Sequence, residues 1–135
     1  MNIEFTQNPS SQDMDFLTQK INQESPKYGV AYSFAFLIRG NNSEIIAGCN
    51  GSVVFGAIYT DQIWVHPDQR KLGLGRKLME RVHSYGLEVG CATATVSTMS
   101  FQGAREFYEG LGYLSDFERS GYAGNSTCIF MKKSL

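Results

Sequence analysis

The sequence predicts a mixed α/β fold, and three observations carry that expectation. Segments with strand character occur in both halves of the chain, with amphipathic, helix-length segments between them. A chain of 135 residues is long enough to bury one sizeable core. Its 42% hydrophobic and 19% charged residues contain no repeat, low-complexity tract or linker-like stretch that would divide that core.

Taken in order, the elements are as follows. Ile3 to Thr6 reads as a short strand. Ser10 or Ser11 caps a helix in which Met14, Leu17 and Ile21 share a face, and which stops before Pro26 because a proline pushes its predecessor out of the helical region. Val30 to Ile38 and Glu44 to Asn50 read as strands around a Gly40-Asn41-Asn42 turn, and Ser52 to Val65 holds one or two more. Leu74 to Glu88 is a helix with Leu74, Leu78, Val82 and Tyr85 turned inward, and Ala92 to Thr98 is a strand. In residues 102–111, Ala104, Phe107, Tyr108 and Leu111 fall at i, i+3, i+4 and i+7, a short helix for which Gly112 is a left-handed cap. Tyr113 to Ser120 and Ser126 to Lys132 form a hairpin around Gly121 to Asn125. Local order leaves the pairing of the strands open.

Composition excludes several classes. The longest apolar run, Ala31 to Ile38, is a strand's length and far short of the ~20 residues of a membrane span. The first residues, Met1-Asn2-Ile3-Glu4-Phe5, have neither the basic segment nor the apolar core of a signal peptide. Cys49, Cys91 and Cys128 are odd in number, far apart and unlike any metal-ligand spacing, which predicts reduced thiols in a cytoplasmic protein without a metal.

The stretch Arg70-Lys71-Leu72-Gly73-Leu74-Gly75 points to chemistry. It lies between the extended run that ends at Val65 and the helix from Leu74, whose unpaired N–H groups and positive dipole end face the loop. Two glycines at i and i+2 open backbone conformations closed to other residues and let a ligand come close. Arg70, Lys71, Arg76 and Lys77 are four of only twelve basic residues in a chain of net charge −1. The positive field is therefore local, suited to a di- or polyphosphate and not to a nucleic-acid backbone. A dinucleotide fingerprint would need glycine where Leu78 stands, and the Gly-Lys-Ser/Thr of a Walker loop occurs nowhere.

What fits is Arg-x-x-Gly-x-Gly after Ile63-Trp64-Val65-His66-Pro67, which resembles the coenzyme A pyrophosphate loop of the GNAT superfamily of N-acetyltransferases. Ala104-Arg105-Glu106-Phe107-Tyr108-Glu109-Gly110-Leu111-Gly112-Tyr113 is similar to that superfamily's second conserved segment. The resemblance implies one domain over residues 1–135, with a mixed, mostly antiparallel sheet of about six to seven strands flanked by about three to four helices. It implies acetyl-CoA as co-substrate, bound by Ile63, Trp64 and Val65 at the strand end and by Arg70, Lys71, Leu72, Gly73, Leu74, Gly75 and Arg76 in the loop. The backbone N–H of Val65 is then a candidate donor to the thioester oxygen.

Acetyl transfer to an amine needs a polarised thioester, an amine that has lost its proton, and a proton for the departing thiolate. Tyr108 occupies the position of the family's tyrosine that faces the sulfur, so the resemblance implies a general acid; core packing is its structural alternative. Asp61 is the only acid in residues 45–67 and by period two shares a face with Ile63 and Val65, which makes it the candidate base; a turn or solvated strand position is the alternative. His66 is a rival base, better suited to shaping the loop, and His83 reads as a packing or surface residue. One position departs from the family: Phe101 stands where an asparagine often bonds the pantetheine, with Ser100 or Gln102 as substitutes.

The acceptor pocket falls to the N-terminal half and the last hairpin. Tyr28, Tyr32, Phe34, Tyr59 and Tyr122 are candidates to line it. Without an acidic cluster there, neither a polyamine nor an aminoglycoside is favoured, and a small-molecule amine is slightly preferred over a protein. The competing reading is an acyl-CoA-binding module without turnover. The resemblance also suggests homodimer formation.

Overall fold

The strand signals resolve into one sheet in the computed structural model, which describes residues 1–135. Strands β1 (Tyr32–Arg39), β2 (Ile45–Val54), β3 (Ala57–Val65), β4 (Thr93–Met99), β5 (Leu114–Tyr122) and β6 (Ser126–Ser134) lie in the order β1-β2-β3-β4-β6-β5. Every neighbouring pair is antiparallel except β3 with β4. Three helices accompany the sheet: α1 (Ser11–Glu24), α2 (Leu74–Glu88) and α3 (Arg105–Glu109). This is the expected α/β class, with six strands.

The parallel pair follows from the chain's path. After β3 the chain crosses the sheet as α2 and returns as β4, and a helical crossover brings the second strand back in the first one's direction. Helix α2 buries Leu78, Met79, Val82 and Gly86, with Leu74 and Tyr85 at the margins of the same core. Gly86 permits that approach, since a Cβ there would stand 3.0 Å from Ile58 Cγ2 and 2.9 Å from Leu135 Cδ1. Beneath lie Ala47, Ile58, Ala94, Val96 and Met131, and Tyr108, Leu111 and Tyr113 extend the cluster. Strand register puts Ser33, Ser52, Tyr59, Thr95, Ser97, Phe130 and Phe117 on the opposite face.

One expectation changes. Ile3 to Thr6 is not a strand: no strand lies beside it, and Ile3 and Phe5 are exposed. Four residues with strand propensity but no ladder partner have nothing to repay their ordering. Helix α1 starts where expected, with Ser10 Oγ accepting from the Asp13 N–H at 3.1 Å. Its face of Met14, Leu17 and Ile21, however, stays exposed. What ties α1 down is polar: the Asn22 side chain donates to Ala31 O at 2.9 Å and accepts from Ala31 N at 2.7 Å. No helix is long and apolar enough to cross a membrane.

Candidate active site

The site begins where two strands part. β3 and β4 pair only from Ala57↔Thr93 to Thr60↔Val96, although β3 continues to Val65 and β4 to Met99. The split coincides with a bulge in β3. On β2, Gly51 opposes Thr60 and Asn50 opposes Gln62, which leaves Asp61 without a partner. Gly51 is needed there, because a Cβ would run into the Tyr59 carbonyl. A bulge sharpens twist and turns the strand away, which accounts for a ladder that ends at Thr60. Thr60 Oγ1, at the apex of the split, is buried without a hydrogen-bond partner.

The bulge corrects the period-two reading of Asp61. Ile63 and Val65 pack against the core, whereas Asp61 is exposed, with its Oδ1 3.4 Å from the donating Tyr59 hydroxyl. The Tyr59 hydroxyl also lies 3.3 Å from Ser97 Oγ on β4. Asp61 thus belongs with the face opposite α2.

Beyond the bulge, the backbone of β3 is exposed along the split. The His66 N–H bonds Ile46 O on β2 at 2.7 Å, so by strand alternation the N–H and C=O of Val65 and Ile63 point the other way, into the gap left by β4. Arg70 Nε donates to Val65 O at 2.9 Å, which fixes the loop against this strand end. His66 shapes the same corner: its Nδ1 accepts from the Asp68 N–H at 3.1 Å and caps the turn at Pro67–Gln69. Trp64 is 47% exposed and lies along the cleft, so its indole is not core packing.

The loop has the geometry of an anion cradle. Lys71 at φ 64° and Gly73 at φ 79° reverse the chain into α2. Gly73 is the N-cap and brings no side chain to the first-turn N–H groups, and no acid stands in that turn. The positive helix end is therefore uncompensated. The second glycine has a different duty from the first. A Cβ on Gly75 would stand 3.3 Å from Phe107 Cζ, so Gly75 lets the start of α2 pack against α3. Of the four basic residues, Arg70 is committed to Val65 O, and Arg76 bonds Gly110 O at 3.2 Å and pairs with Glu80 at 3.7 Å.

A cleft of about 730 Å³ opens beside the split, in the size range of small-molecule sites. Asp61, Ile63, Trp64 and Tyr108 all line it. Tyr108 is 5% exposed; burial, with smaller contributions from Cys49 and Tyr59, pushes its phenol up to about 12. Its ring is wedged edge-on between Phe107 at 5.2 Å and Tyr113 at 5.6 Å. Tyr113 is itself held by His83, whose Nε2 is 2.7 Å from the Tyr113 hydroxyl.

Sequence reasoning missed several lining residues. Cys49, Asn50, Gln62 and Ser97 line the cleft, and burial raises the pKa of the Cys49 thiol. Asn50 Nδ2 donates to Gln62 Oε1 at 3.0 Å across β2 and β3. The available signal was the polar half of the strand alternation, which says which residues share a face and not which strands meet. Phe101 is 70% exposed and outside the lining, whereas Gln102 is inside it. Gln102 Oε1 accepts from the Met99 N–H at 2.9 Å and from Thr98 Oγ1 at 3.2 Å, so its Nε2 is the donor left for a ligand. Of the aromatic candidates for the acceptor pocket, Tyr59 reaches Asp61, Tyr32 and Phe34 pack against the core from β1, and Tyr28 and Tyr122 are exposed. A second, more polar pocket joins the first through Ala35, Asn50 and Asp61.

Comparison with known proteins agrees with this geometry. The acetyltransferase (GNAT) family model matches residues 3–113. A blasticidin-S acetyltransferase of Streptomyces morookaense is 35% identical over 97 residues, 71% of this chain and 71% of that protein. An acetyltransferase from Bacillus cereus has a TM-score of 0.74 at 20% identity, with 98% of each chain covered. A candidate streptothricin acetyltransferase of Bacillus anthracis, solved in complex with acetyl coenzyme A, has a TM-score of 0.70 at 16% identity over 76% of this chain and 62% of that one.

Proposed function

Because this chain belongs to the GNAT family of acetyltransferases, it is an acyltransferase, and we propose that it moves the acetyl group of acetyl-CoA to the primary amine of a small molecule by direct attack in a ternary complex. The observation that carries the reading is one cleft, at the mouth of the β3–β4 split, lined by both a carboxylate and a protonated phenol, Asp61 and Tyr108. The size of the cleft, and a relative named for the antibiotic blasticidin S, favour a small acceptor.

The residues present suit acetyl-CoA. The uncapped N–H groups at the start of α2 and the left-handed turn at Lys71 and Gly73 fit a pyrophosphate, held by the backbone from Arg70 to Arg76. The gap-facing N–H and C=O groups of Ile63 and Val65 fit an extended amide arm added beside β3. Bound acetyl-CoA supplies the thioester. The Val65 N–H would be the donor to its carbonyl oxygen, leaving the Ile63 groups to pair with the arm.

Asp61 accepts a proton from the acceptor's ammonium, and the amine nitrogen attacks the acyl carbon. As the carbon–nitrogen bond forms and the carbon–sulfur bond breaks, Tyr108 gives its proton to the sulfur, and the second proton shed by the nitrogen goes to solvent, from which Tyr108 recovers its own. Burial keeps that proton on the phenol at neutral pH.

The test is release of free thiol from acetyl-CoA across a panel of amines. Tyr108→Phe is expected to lower kcat by about 10²-fold or more, with the KM for acetyl-CoA within about twofold, because general acid–base groups contribute about 10²–10⁴. Unchanged turnover in Tyr108→Phe would remove the general-acid assignment.

A further inference from the structure

The face of the sheet opposite α2 carries a charged group that the reaction above leaves unused. Phe117 on β5 opposes Phe130 on β6, and Phe130 opposes Ser97 on β4. Ser97 meets the Tyr59 hydroxyl, which meets Asp61. Paired residues of neighbouring strands point to the same side, so Asp61, Tyr59, Ser97 and the two phenylalanines form one path across the sheet. Arg119, two residues along β5 from Phe117, stands on that side. Its guanidinium carbon lies 5.6 Å from the Phe117 ring centroid and 5.3 Å from that of Phe130.

Two aromatic faces hold the guanidinium while its in-plane N–H donors remain available. The acids beside it are already taken. Glu118 points to the other side of the strand and pairs with Arg105 at 3.0 Å, and Asp116 lies 4.0 Å from Lys132. None of the ion pairs includes Arg119, which is exposed. A pre-positioned planar fork without a carboxylate, on the same face as a carboxylate without a cation, is complementary to a molecule that carries both charges.

We infer that the acceptor bears a carboxylate as well as the reacting amine, and that Arg119 binds that carboxylate while the amine lies at Asp61. The inference rests on the transferase reading, which makes the Asp61 end the amine end. From β3 to the guanidinium, which lies over β6 and β5, is two to three strand spacings, about 10–14 Å, with β3 and β4 already parted at Asp61. That is the length of about three to four extended residues, so the class is a short peptide, a long ω-amino acid or an aminoacyl conjugate. A free α-amino acid is too short to reach both ends.

Matched pairs of amines, tri- and tetrapeptides and long ω-amino acids, each as free acid and as primary amide, test the inference by thiol release from acetyl-CoA. The wild-type protein is expected to favour the acid by about 10- to 100-fold in kcat/KM, as a charge-assisted hydrogen-bonded pair implies. Arg119→Gln is expected to bring the acid-to-amide ratio to about 1, chiefly through the KM for the acid, and Arg119→Lys to restore part of it. Equal use of acids and amides by the wild type, a preference for amides, or a ratio unmoved by Arg119→Gln would overturn the inference, even with acetyl-CoA bound and turned over. A wild-type protein that neither turns over any amine nor shifts its melting temperature with acetyl-CoA would instead sink the transferase reading, and this inference with it.

Discussion

Tyr108 shows what a single residue contributes. Burial takes its phenol from the ordinary value of 10.0 up to about 12, so as the proposed acid it is protonated and has no part in any loss of activity between pH 7 and 10. The same shift is a statement about stability. The unfolded chain releases this proton near pH 10 and the folded chain near 12, so the contribution is full below pH 10 and is lost as pH rises through about 12. Compared with Tyr108→Phe, the wild type is expected to lose roughly 2–3 kcal/mol more stability between pH 10 and 12, read from urea unfolding at each pH. The other titrating groups are present in both proteins, and Tyr113, whose pKa is raised chiefly by burial and only secondarily by Tyr108, changes little between them. A difference that is flat across that interval would mean that the phenol titrates normally in the fold. Tyr108 was legible in the sequence, through its place on an apolar helical stripe and within the second family segment. Its neighbour Cys49 was not, because it comes from a strand whose pairing is long-range.

At the scale of elements, the two loop glycines illustrate how far spacing can be read. Gly-x-Gly before a helix announced the cradle, and Gly73 has the left-handed φ that the turn requires. Gly75 has no such φ; its constraint is contact with Phe107, which a local reading cannot supply. Gly75→Val is therefore expected to destabilise the protein by about 1–3 kcal/mol through overpacking. Phe107→Leu in the same chain is expected to recover part of the loss, seen as a favourable coupling energy in a double-mutant cycle of urea midpoints. Strictly additive losses would show that α2 and α3 do not meet through this pair. The bulge in β3 was equally invisible. Period two put Asp61 on one face with Ile63 and Val65, and the extra residue opposite Gly51 reversed it. Nothing in the run Tyr59-Thr60-Asp61-Gln62 marks that residue, since the cause lies in the partner strand.

For the whole molecule, the sequence carried the class of fold and the number and order of most elements, because periodicity and turn residues act locally. It did not carry the order of strands across the sheet. That order makes the site: β4 lies parallel beside β3 for four residues and then leaves it, which opens the gap between Asp61 and Tyr108. Nor did the sequence say whether α1 would be buried, since an apolar stripe states what a helix can bury and not what stands opposite. The arrangement has a kinetic consequence. In the proposed reaction, with Asp61 at the amine, the amine meets the thioester directly, and no acyl group needs to rest on the protein. Cys49 lines the same cleft, but burial raises its pKa and so disfavours the thiolate that a covalent carrier requires. The most direct test is the initial rate of thiol release with acetyl-CoA and a productive amine varied together. Direct attack predicts intersecting double-reciprocal lines and no thiol released without amine, whereas parallel lines with acetyl recovered on Cys49 would contradict it.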